Sequence, residues 1–218
     1  MLVELKDIQK KYGNAEILKG INLNIEAGQN HVIQGTSGSG KSTLLYILGS
    51  LERPDAGSVF LEGRDTTKLN DEQLSELRNR FIGFVFQFHF LLPSMNCLQN
   101  TLLPAKIAGI KEAEVKKRIL KYAEMLNISH CLKKYPYQIS GGEQQRVNII
   151  RAISLNPKLI LCDEPTGNLD TKNTAIVISL LKNLASEIDS TLVVVTHDNS
   201  VAESFEHKIT IEDGQIIG

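Results

Sequence analysis

The sequence has no tryptophan, only three cysteines, and no excess of charge of either sign. Its 24 Lys and Arg residues nearly balance 25 Asp and Glu residues, which leaves a net charge of −1. A chain without a basic excess holds a polyanionic backbone poorly, so we expect no nucleic-acid partner. Cys97, Cys131 and Cys162 are odd in number and form no Cys-x-x-Cys pair. We therefore expect neither a disulfide framework nor a zinc site, and we expect a reducing compartment.

Long apolar runs and a secretory signal pattern are also missing. The first residues show no basic segment followed by an apolar one. Residues 82–105 carry no Asp, Glu, Lys or Arg, but Pro93, Pro104 and several amide side chains interrupt them. A membrane span needs about 20 apolar residues. We therefore expect no span here, and instead a surface that meets something apolar.

What is present is the pattern of one α/β domain. A chain of 218 residues with 42% hydrophobic side chains can bury one core. Residues 97–154 have apolar residues at helical spacing, whereas Leu159–Cys162 and Leu192–Val195 are apolar runs that flank a predicted helix of about 171–187. Apolar strands that alternate with helices favour a parallel sheet with helices on its faces. We predict an α/β core with a mostly helical insertion.

The strongest motif is Gly-Thr-Ser-Gly-Ser-Gly-Lys-Ser at residues 35–42, which follows a predicted strand and opens a predicted helix. Its glycines permit torsions that turn successive N–H groups towards phosphate oxygens, and the helix N-terminus adds partial positive charge. Lys41 is expected to reach the β- and γ-phosphates of a nucleotide, and the Ser42 hydroxyl to bind Mg²⁺. The alternative is a glycine-rich turn that only caps a helix.

A second motif is the apolar strand that ends in Asp163 and Glu164. In a parallel sheet this strand delivers its carboxylate to the edge that the phosphate loop occupies. Asp163 is expected to hold Mg²⁺ through water, and Glu164 to polarise an attacking water beside the γ-phosphate. The alternative is a strand that ends in an acidic turn.

A third motif, Ser140-Gly141-Gly142-Glu143, has the spacing of a capping box at a helix start. Two glycines and a serine at a helix N-terminus also make an anion site. A second phosphate site separate from the first suggests one nucleotide held between two chains. The alternative is that the motif merely starts a helix.

These motifs and His197 follow one another in a particular order along the chain. In that order they resemble the nucleotide-binding subunit of an ATP-binding-cassette (ABC) transporter over essentially the whole sequence. The resemblance implies a phosphate-loop NTPase core of the α/β class, with an antiparallel β subdomain and an inserted α-helical subdomain. It implies a single domain over 1–218, with a catalytic lobe at 1–87 and 157–218 and a helical lobe at 88–156.

The resemblance also assigns individual roles. Tyr12 matches the aromatic residue that stacks on adenine, and Gln87 the glutamine that senses Mg²⁺ and couples to the membrane subunit. Asp170 lies in the loop that crosses the dimer interface, and His197 matches the histidine that contacts the γ-phosphate. The predicted ATP-binding residues are Tyr12, Gly35, Thr36, Ser37, Gly38, Ser39, Gly40, Lys41, Ser42, Thr43, Ser140, Gly141, Gly142 and Asp170. The predicted catalytic residues are Glu164, His197 and Gln87, and the predicted metal ligands are Ser42, Gln87 and Asp163.

Each assignment taken from the resemblance has a structural alternative. The alternative for Tyr12 is packing at a strand end, and the alternative for Asp170 is a cap on the helix that begins near residue 171. The alternative for residues 196–198 is a local turn, although their position after a buried strand favours function. The remaining histidines with no motif around them, His31, His130 and His207, are interpreted as structural.

A finer resemblance rests on Phe-Gln-Phe-His-Phe-Leu-Leu-Pro at residues 86–93 and Glu-Pro-Thr-Gly-Asn-Leu-Asp at residues 164–170. Both segments look like those of bacterial lipoprotein-releasing and macrolide-export ATPases. In that subfamily the region after the glutamine docks on the membrane subunits, which implies a partner groove here. The groove residues would be Phe88, Phe90, Leu91 and Leu92, and the alternative is that these side chains fill the protein's own core.

The resemblance predicts an ATP-binding and ATP-hydrolysing subunit that powers membrane permease subunits by ATP-driven dimer closure. Its cofactors would be ATP and Mg²⁺, and its partners a second copy of the chain and integral membrane permease subunits. It would lie in the cytoplasm, peripheral on the inner face of the cell membrane. The alternative is a nucleotide-dependent regulatory switch on a membrane or cell-wall partner, without transport.

Overall fold

In a computed structural model, the described part of the chain contains ten strands, seven α-helices and three short 3-10 helices. The structure describes residues 1–167 and 171–217, with the backbone alone at residues 171 and 172. The strands are β1 (Val3–Tyr12), β2 (Ala15–Ile25), β3 (Asn30–Gln34), β4 (Ala56–Leu61), β5 (Arg64–Asp65), β6 (Ile82–Phe86), β7 (Leu159–Asp163), β8 (Thr191–Thr196), β9 (His207–Glu212) and β10 (Gln215–Ile216). The helices are α1 (Lys41–Leu48), α2 (Asp71–Phe81), α3 (Cys97–Ile107), α4 (Glu112–Met125), α5 (Gly141–Ile153), α6 (Thr171–Glu187) and α7 (Asn199–Glu203).

The larger sheet has six strands in the order β10-β9-β3-β8-β7-β6. Neighbouring strands from β9 to β6 pair in parallel, and only β10 runs antiparallel to its neighbour. Strands β7 and β8 are buried along their whole lengths. Both of their faces are covered, which is why their sequences read as continuous apolar runs.

Alternate residues of the central strands face two different cores. Ile160 and Val194 belong to one cluster, together with buried side chains from α3, α4, α5, α6 and α7. Leu161 and Val193 belong to the other cluster, together with α1 and the second sheet. The period of two along a strand therefore divides the hydrophobic side chains between the two faces of the sheet.

The second sheet is antiparallel, in the order β2-β1-β4-β5. Its buried side chains pack with those of α1 on one face of the six-stranded sheet. The expected α/β fold with an antiparallel β part and inserted helices is confirmed. The predicted strands are present, and α3, α4 and α5 lie between β6 and β7 in the chain.

Two expectations from composition can be compared with the structure. Cys97, Cys131 and Cys162 are all buried and free. Among the residues that the structure describes, no helix is both long enough and apolar enough to cross a membrane.

The strand register brings the predicted motifs to one edge of the sheet. Gln34, just before the phosphate loop, pairs with Thr196, just before His197. Asp163 pairs with Val195 on one side and with Phe86, just before Gln87, on the other. Four parallel strands therefore end side by side, and the segments that follow them meet at the carboxyl edge, where open α/β sheets bind their ligands.

Candidate active site

A cavity of about 430 Å³ opens at this carboxyl edge. The phosphate loop forms one part of its wall. The residues that directly follow β6, β7 and β8, which are Gln87, Glu164 and His197, form another. Its lining consists of Tyr12, Ile17, Ser37, Gly38, Gly40, Lys41, Ser42, Thr43, Gln87, Glu164 and His197. All but Ile17 were predicted from the sequence as site residues.

The phosphate loop keeps its shape because two of its glycines have no room for a side chain. Gly35 has φ 154°, and a Cβ there would lie 2.1 Å from the backbone oxygen of Ile211 in β9. Gly40 has φ 102° and caps α1, and its Cβ would lie 2.9 Å from the backbone oxygen of Ile17. Any larger residue would push the loop away from these strands. Glycine is therefore required at both positions for two reasons, the close backbone contact and the positive φ.

Lys41 is held against its own loop. Its Nζ donates a hydrogen bond to the backbone oxygen of Thr36 at 2.7 Å, and the side chain is buried. Burial lowers the pKa of the Lys41 ammonium, and the nearby carboxylates of Glu164 and Asp163 oppose that shift. A bound phosphate would add a further negative partner and so favour the charged form of Lys41.

Asp163 is clamped by two hydroxyl groups from one helix. Ser42 Oγ donates to Asp163 Oδ1 at 2.9 Å, and Tyr46 Oη donates to Asp163 Oδ2 at 2.7 Å. Ser42 and Tyr46 lie four residues apart in α1, on one face of the helix. Burial, followed by the bond to Asp163, raises the pKa of Tyr46, so its hydroxyl stays a donor.

The Ser42 hydroxyl, the Asp163 carboxylate and the Gln87 amide form an oxygen-rich set of the kind Mg²⁺ prefers. Ser42 and Gln87 both line the cavity, and Asp163 contacts Ser42 directly. A Cβ on Gly167 would lie 2.8 Å from Gln87 Nε2, so the turn after β7 packs closely on the glutamine. These residues fit a magnesium ion chemically.

Glu164 stands in a different environment from Asp163. It has a positive φ of 45°, and its backbone N–H donates to Val195 O at 3.0 Å. Its Oε1 lies 2.8 Å from His197 Nδ1, and its Oε2 accepts a hydrogen bond from Thr196 Oγ1 at 3.3 Å. The two adjacent acids thus have different partners, one a pair of helix hydroxyls and the other the histidine and threonine that end β8.

Tyr12 presents an aromatic ring to the cavity. The Tyr12 ring is half exposed at the cavity, and its hydroxyl donates to Glu52. Lys10 Nζ lies 5.6 Å from the ring centroid. The ring is available at the mouth of the cavity, which is compatible with the predicted stacking on a base.

Ser140, Gly141 and Gly142 do not line the phosphate-loop cavity among the described residues. They begin α5, where Ser140 Oγ accepts from Glu143 N–H at 3.3 Å and Glu143 Oε2 accepts from Ser140 N–H at 2.8 Å. The expected capping box is therefore present. Hydrogen bonds, first from Ser140 and then from Cys131 and His130, hold the pKa of Glu143 well below its usual range.

The other predicted residues fall in three places. Thr36 and Ser39 belong to the loop itself, and Ser39 is buried. Asp170 lies outside the described residues. In the uncharged stretch, Phe88 and Phe90 are 66% and 64% exposed, which counts against a role in the core, whereas Leu91 packs against a core cluster.

Two polar contacts of the site were not predicted from the sequence. Tyr46 holds Asp163, and Thr196 holds Glu164. A helical spacing of four from Ser42 is the one signal that pointed to Tyr46. Thr196 directly precedes His197 at the end of a buried strand, so its position at the carboxyl edge also follows from the strand.

A protein-family model described as ABC transporter matches residues 18–167 of the chain. The "Lipoprotein-releasing system ATP-binding protein LolD" of Geobacter metallireducens is 43% identical over 220 residues, covering 99% of this chain and 98% of that protein. The protein of the same name from Aquifex aeolicus is 43% identical over 217 residues, covering 100% of this chain and 96% of that protein.

Solved structures agree with these relatives. The dimeric structure of MJ0796, a bacterial ABC transporter cassette, is 40% identical with a TM-score of 0.91, covering 100% of this chain and 97% of that one. A dimeric structure of MJ0796 in a post-hydrolysis state, bound to ADP and Pi, gives a TM-score of 0.90 at the same identity and coverage.

The fold and the loop at residues 35–42 thus define a phosphate-loop NTPase. The chain belongs to the ABC transporter family and is an ATP-binding, ATP-hydrolysing subunit of that family. The predicted family and subfamily are confirmed, because the two relatives are ATP-binding proteins of lipoprotein-releasing systems. They give no support to the alternative of a regulatory switch.

Proposed function

We propose that two copies of this chain close around two molecules of MgATP and drive membrane permease subunits that release lipoproteins. Each nucleotide would lie between Lys41 and Ser42 of one copy and Ser140–Gly142 of the other. The names of the relatives support the transport role, and the dimeric cassette of 40% identity supports the pairing.

One observation carries the two-copy arrangement. The loop lysine, the Ser42–Asp163 pair and the Glu164–His197 pair gather at one cavity. Gly141 and Gly142 do not line it but line a neighbouring cavity of about 180 Å³, which shares only Gln87 and Glu164 with the first. The start of α5 is an anion site that does not line the phosphate cavity of its own chain. This position is explained if the site binds the nucleotide held by a second copy of the chain.

Within each site the residues would divide the chemistry. Lys41 and the loop N–H groups hold the phosphates, and Glu164 accepts a proton from the attacking water while His197 and Thr196 fix its carboxylate. Tyr12 would stack on the base, and Asp170 would cross the dimer interface. These two contacts of the Glu164 carboxylate matter because a general base must be oriented towards the water before it can accept its proton.

Mg²⁺ is part of this proposal. Ser42, Gln87 and Asp163 would hold it, since their oxygens form the donor set described above. When bound, the ion would neutralise charge on the β- and γ-phosphates.

The proposal also divides the chain into two lobes. The catalytic lobe is residues 1–87 and 157–218, and the helical lobe is residues 88–156. Gln87 ends the first part, and the exposed Phe88 and Phe90 begin the second, where permease subunits would dock. The protein would then work at the inner, cytoplasmic face of the membrane.

The two-copy site can be tested with Gly142→Asp. A Cβ at Gly142 meets only Arg146 Nη1, at 3.9 Å, so the chain itself has room for the side chain. A carboxylate at the second position of a helix also suits the helix dipole. We expect folding and nucleotide binding to persist, and ATP hydrolysis to fall by about 100-fold or more, because the carboxylate would repel the partner's γ-phosphate.

The matched control is Ala113→Asp, which adds the same charge at the second residue of α4, where the side chain is exposed. It should hydrolyse ATP like the parent. Mixing Gly142→Asp with Lys41→Ala in equal amounts should restore about one quarter of parental activity, since half of the dimers then contain one intact composite site. Full activity of Gly142→Asp alone would contradict the shared site.

A further inference from the structure

Three potential metal ligands converge on the start of α5, away from the phosphate-loop cavity. His130 Nε2 lies 2.8 Å from Glu143 Oε1, and Cys131 Sγ lies 3.2 Å from the same oxygen. Cys131 Sγ and His130 Nε2 are 3.3 Å apart. A nitrogen, a sulfur and a carboxylate oxygen therefore form a closed triangle, and they form the one such group of three found among the described residues.

The triangle is close to the size that tetrahedral zinc requires. Zn–N and Zn–O bonds of about 2.0–2.1 Å and a Zn–S bond of about 2.3 Å place ligand atoms ~3.3–3.6 Å apart at tetrahedral angles. The observed separations of 2.8, 3.2 and 3.3 Å need to widen only by a few tenths of an ångström. His130 is exposed, so rotation of its side chain can widen the two separations in which it takes part.

The charges also suit a divalent ion. Glu143 supplies one negative charge, a Cys131 thiolate supplies a second, and His130 binds as the neutral imidazole. Mixed sulfur and nitrogen donors favour zinc over Mg²⁺ or Ca²⁺, which prefer oxygen. A water molecule would complete the tetrahedral set as the fourth ligand.

The helix cap does not compete with such an ion. Ser140 N–H and Ser140 Oγ both bind Glu143 Oε2, each at 2.8 Å, while His130 and Cys131 contact Oε1. One carboxylate oxygen can therefore bind metal while the other keeps the capping box. A metal there would join the turn at Ser129–Cys131 to the first turn of α5, the helix that Ser140 caps.

We propose that His130, Cys131 and Glu143 bind one zinc ion, which clamps the Ser129–Cys131 turn to the start of α5. Binding replaces the thiol proton: Zn²⁺ and the Cys131 thiol give a zinc–sulfur bond, and the proton goes to solvent. No electron transfer is involved. The site does not depend on the proposed transport function, so the two can fail separately.

The test uses the purified full chain, treated with a chelator and free of nucleotide. Co²⁺ serves as the optical probe, and Zn²⁺ is titrated against a coloured chelator. We expect one ion per chain, an absorption band from thiolate-to-cobalt charge transfer, and loss of that band when zinc is added. Zinc should also raise the melting temperature, since a ligand that binds only the folded state stabilises it.

His130→Ala is the decisive variant because its side chain is exposed and its loss should not disturb folding. We expect its zinc affinity to fall by more than the ~10–100-fold that loss of a group merely orienting a ligand costs. Cys131→Ala should lose the cobalt band. Cys97→Ala, which removes another buried cysteine outside the triangle, should keep both the band and the affinity.

Three results would overturn the proposal. One is the absence of zinc binding in the parent. The second is binding without a thiolate–cobalt band, as expected if the ion sits only at Ser42 and Asp163. The third is parental affinity in His130→Ala.

Discussion

The hydroxyl of Tyr46 contributes to the candidate metal set without being a ligand itself. It donates to Asp163 Oδ2 at 2.7 Å and so leaves Oδ1 to face Ser42. Tyr46→Phe should destabilise the protein by about 1–3 kcal/mol, because a hydrogen bond to a charged group is lost. It should also raise the Mg²⁺ concentration needed for half-maximal ATP hydrolysis by several-fold, since Asp163 loses its fixed orientation. Denaturant unfolding and a Mg²⁺ titration of ATPase activity measure the two effects.

Tyr12→Phe is the matched control for that substitution. The Tyr12 ring is half exposed, and its hydroxyl donates a hydrogen bond to Glu52 rather than to Asp163. Its removal should leave the Mg²⁺ dependence unchanged. If Tyr46→Phe shows the parental Mg²⁺ dependence as well, then Tyr46 has no positioning role.

Glu164→Gln separates hydrolysis from nucleotide binding. Glutamine has nearly the same shape as Glu164 but cannot accept the proton of the attacking water. We expect turnover to fall by about 100-fold or more, while ATP binding persists because the phosphate loop is unchanged. Phosphate release and binding of a fluorescent nucleotide measure the two properties. A variant that hydrolyses ATP like the parent would show that Glu164 is not the base.

At the level of elements, the pairing of β3 with β9 buries a histidine. His31 lies opposite His207, their rings stack at a centroid distance of 4.9 Å, and His31 is only 6% exposed. Burial, followed by the charge of His207, lowers the pKa of His31 from 6.5 to about 4. The charged form of His31 is therefore more stable in the unfolded chain than in the folded one.

The sign of the resulting pH dependence follows from this shift. Between pH 6.5 and 4 the unfolded chain binds a proton at His31 that the folded chain does not, so stability falls as the pH falls through this window. His31→Phe should remove up to about 3 kcal/mol of that loss while it keeps an aromatic ring against His207. Urea unfolding at about pH 7.5 and about pH 5, on either side of the ordinary histidine pKa, measures the slope. The hypothesis is wrong if His31→Phe keeps the parental slope.

Much of the fold follows from patterns within single elements. The apolar runs at Leu159–Cys162 and Leu192–Val195 predicted buried parallel strands, and the loop at 35–42 predicted the strand before it and the helix after it. Both signals are local, because the backbone torsions of a phosphate loop and the burial of both faces of a strand are imposed on consecutive residues.

Contacts between distant elements could not be predicted in the same way. Tyr46 and Asp163 are 117 residues apart in the sequence. Which acidic residue Tyr46 reaches depends on the order of the strands in the sheet. His130 and Cys131 contact Glu143 because their turn folds back on α5. No Cys-x-x-Cys spacing in the sequence indicates this cluster. The expectation that His130 is structural and that no zinc site exists rested on spacing alone, and the proposed zinc triangle would replace it.

On the scale of the whole molecule, an exposed aromatic surface lies beside the proposed nucleotide site. Phe86 and Phe90 make an edge-to-face contact with centroids 5.5 Å apart, and Phe88 lies 6.3 Å from Phe90. The Arg151 guanidinium donates to the backbone oxygens of His89 and Phe90, each at 2.7 Å. The segment after Gln87 is thus tied to α5, so it links the end of β6 to the helix that Ser140 caps.

Phe88→Ser tests this surface as the permease contact. The ring is 66% exposed, so its loss should change the stability and the ATPase activity of the isolated chain little. Since buried aromatic anchors dominate many interfaces, we expect the variant to lose co-purification with the permease subunits, and to lose lipoprotein release in reconstituted vesicles. Ile176→Ser, which removes a 55% exposed side chain from α6, should retain both. Parental co-purification of Phe88→Ser would place the permease contact elsewhere on the molecule, whereas loss in both variants would indicate a general defect of assembly.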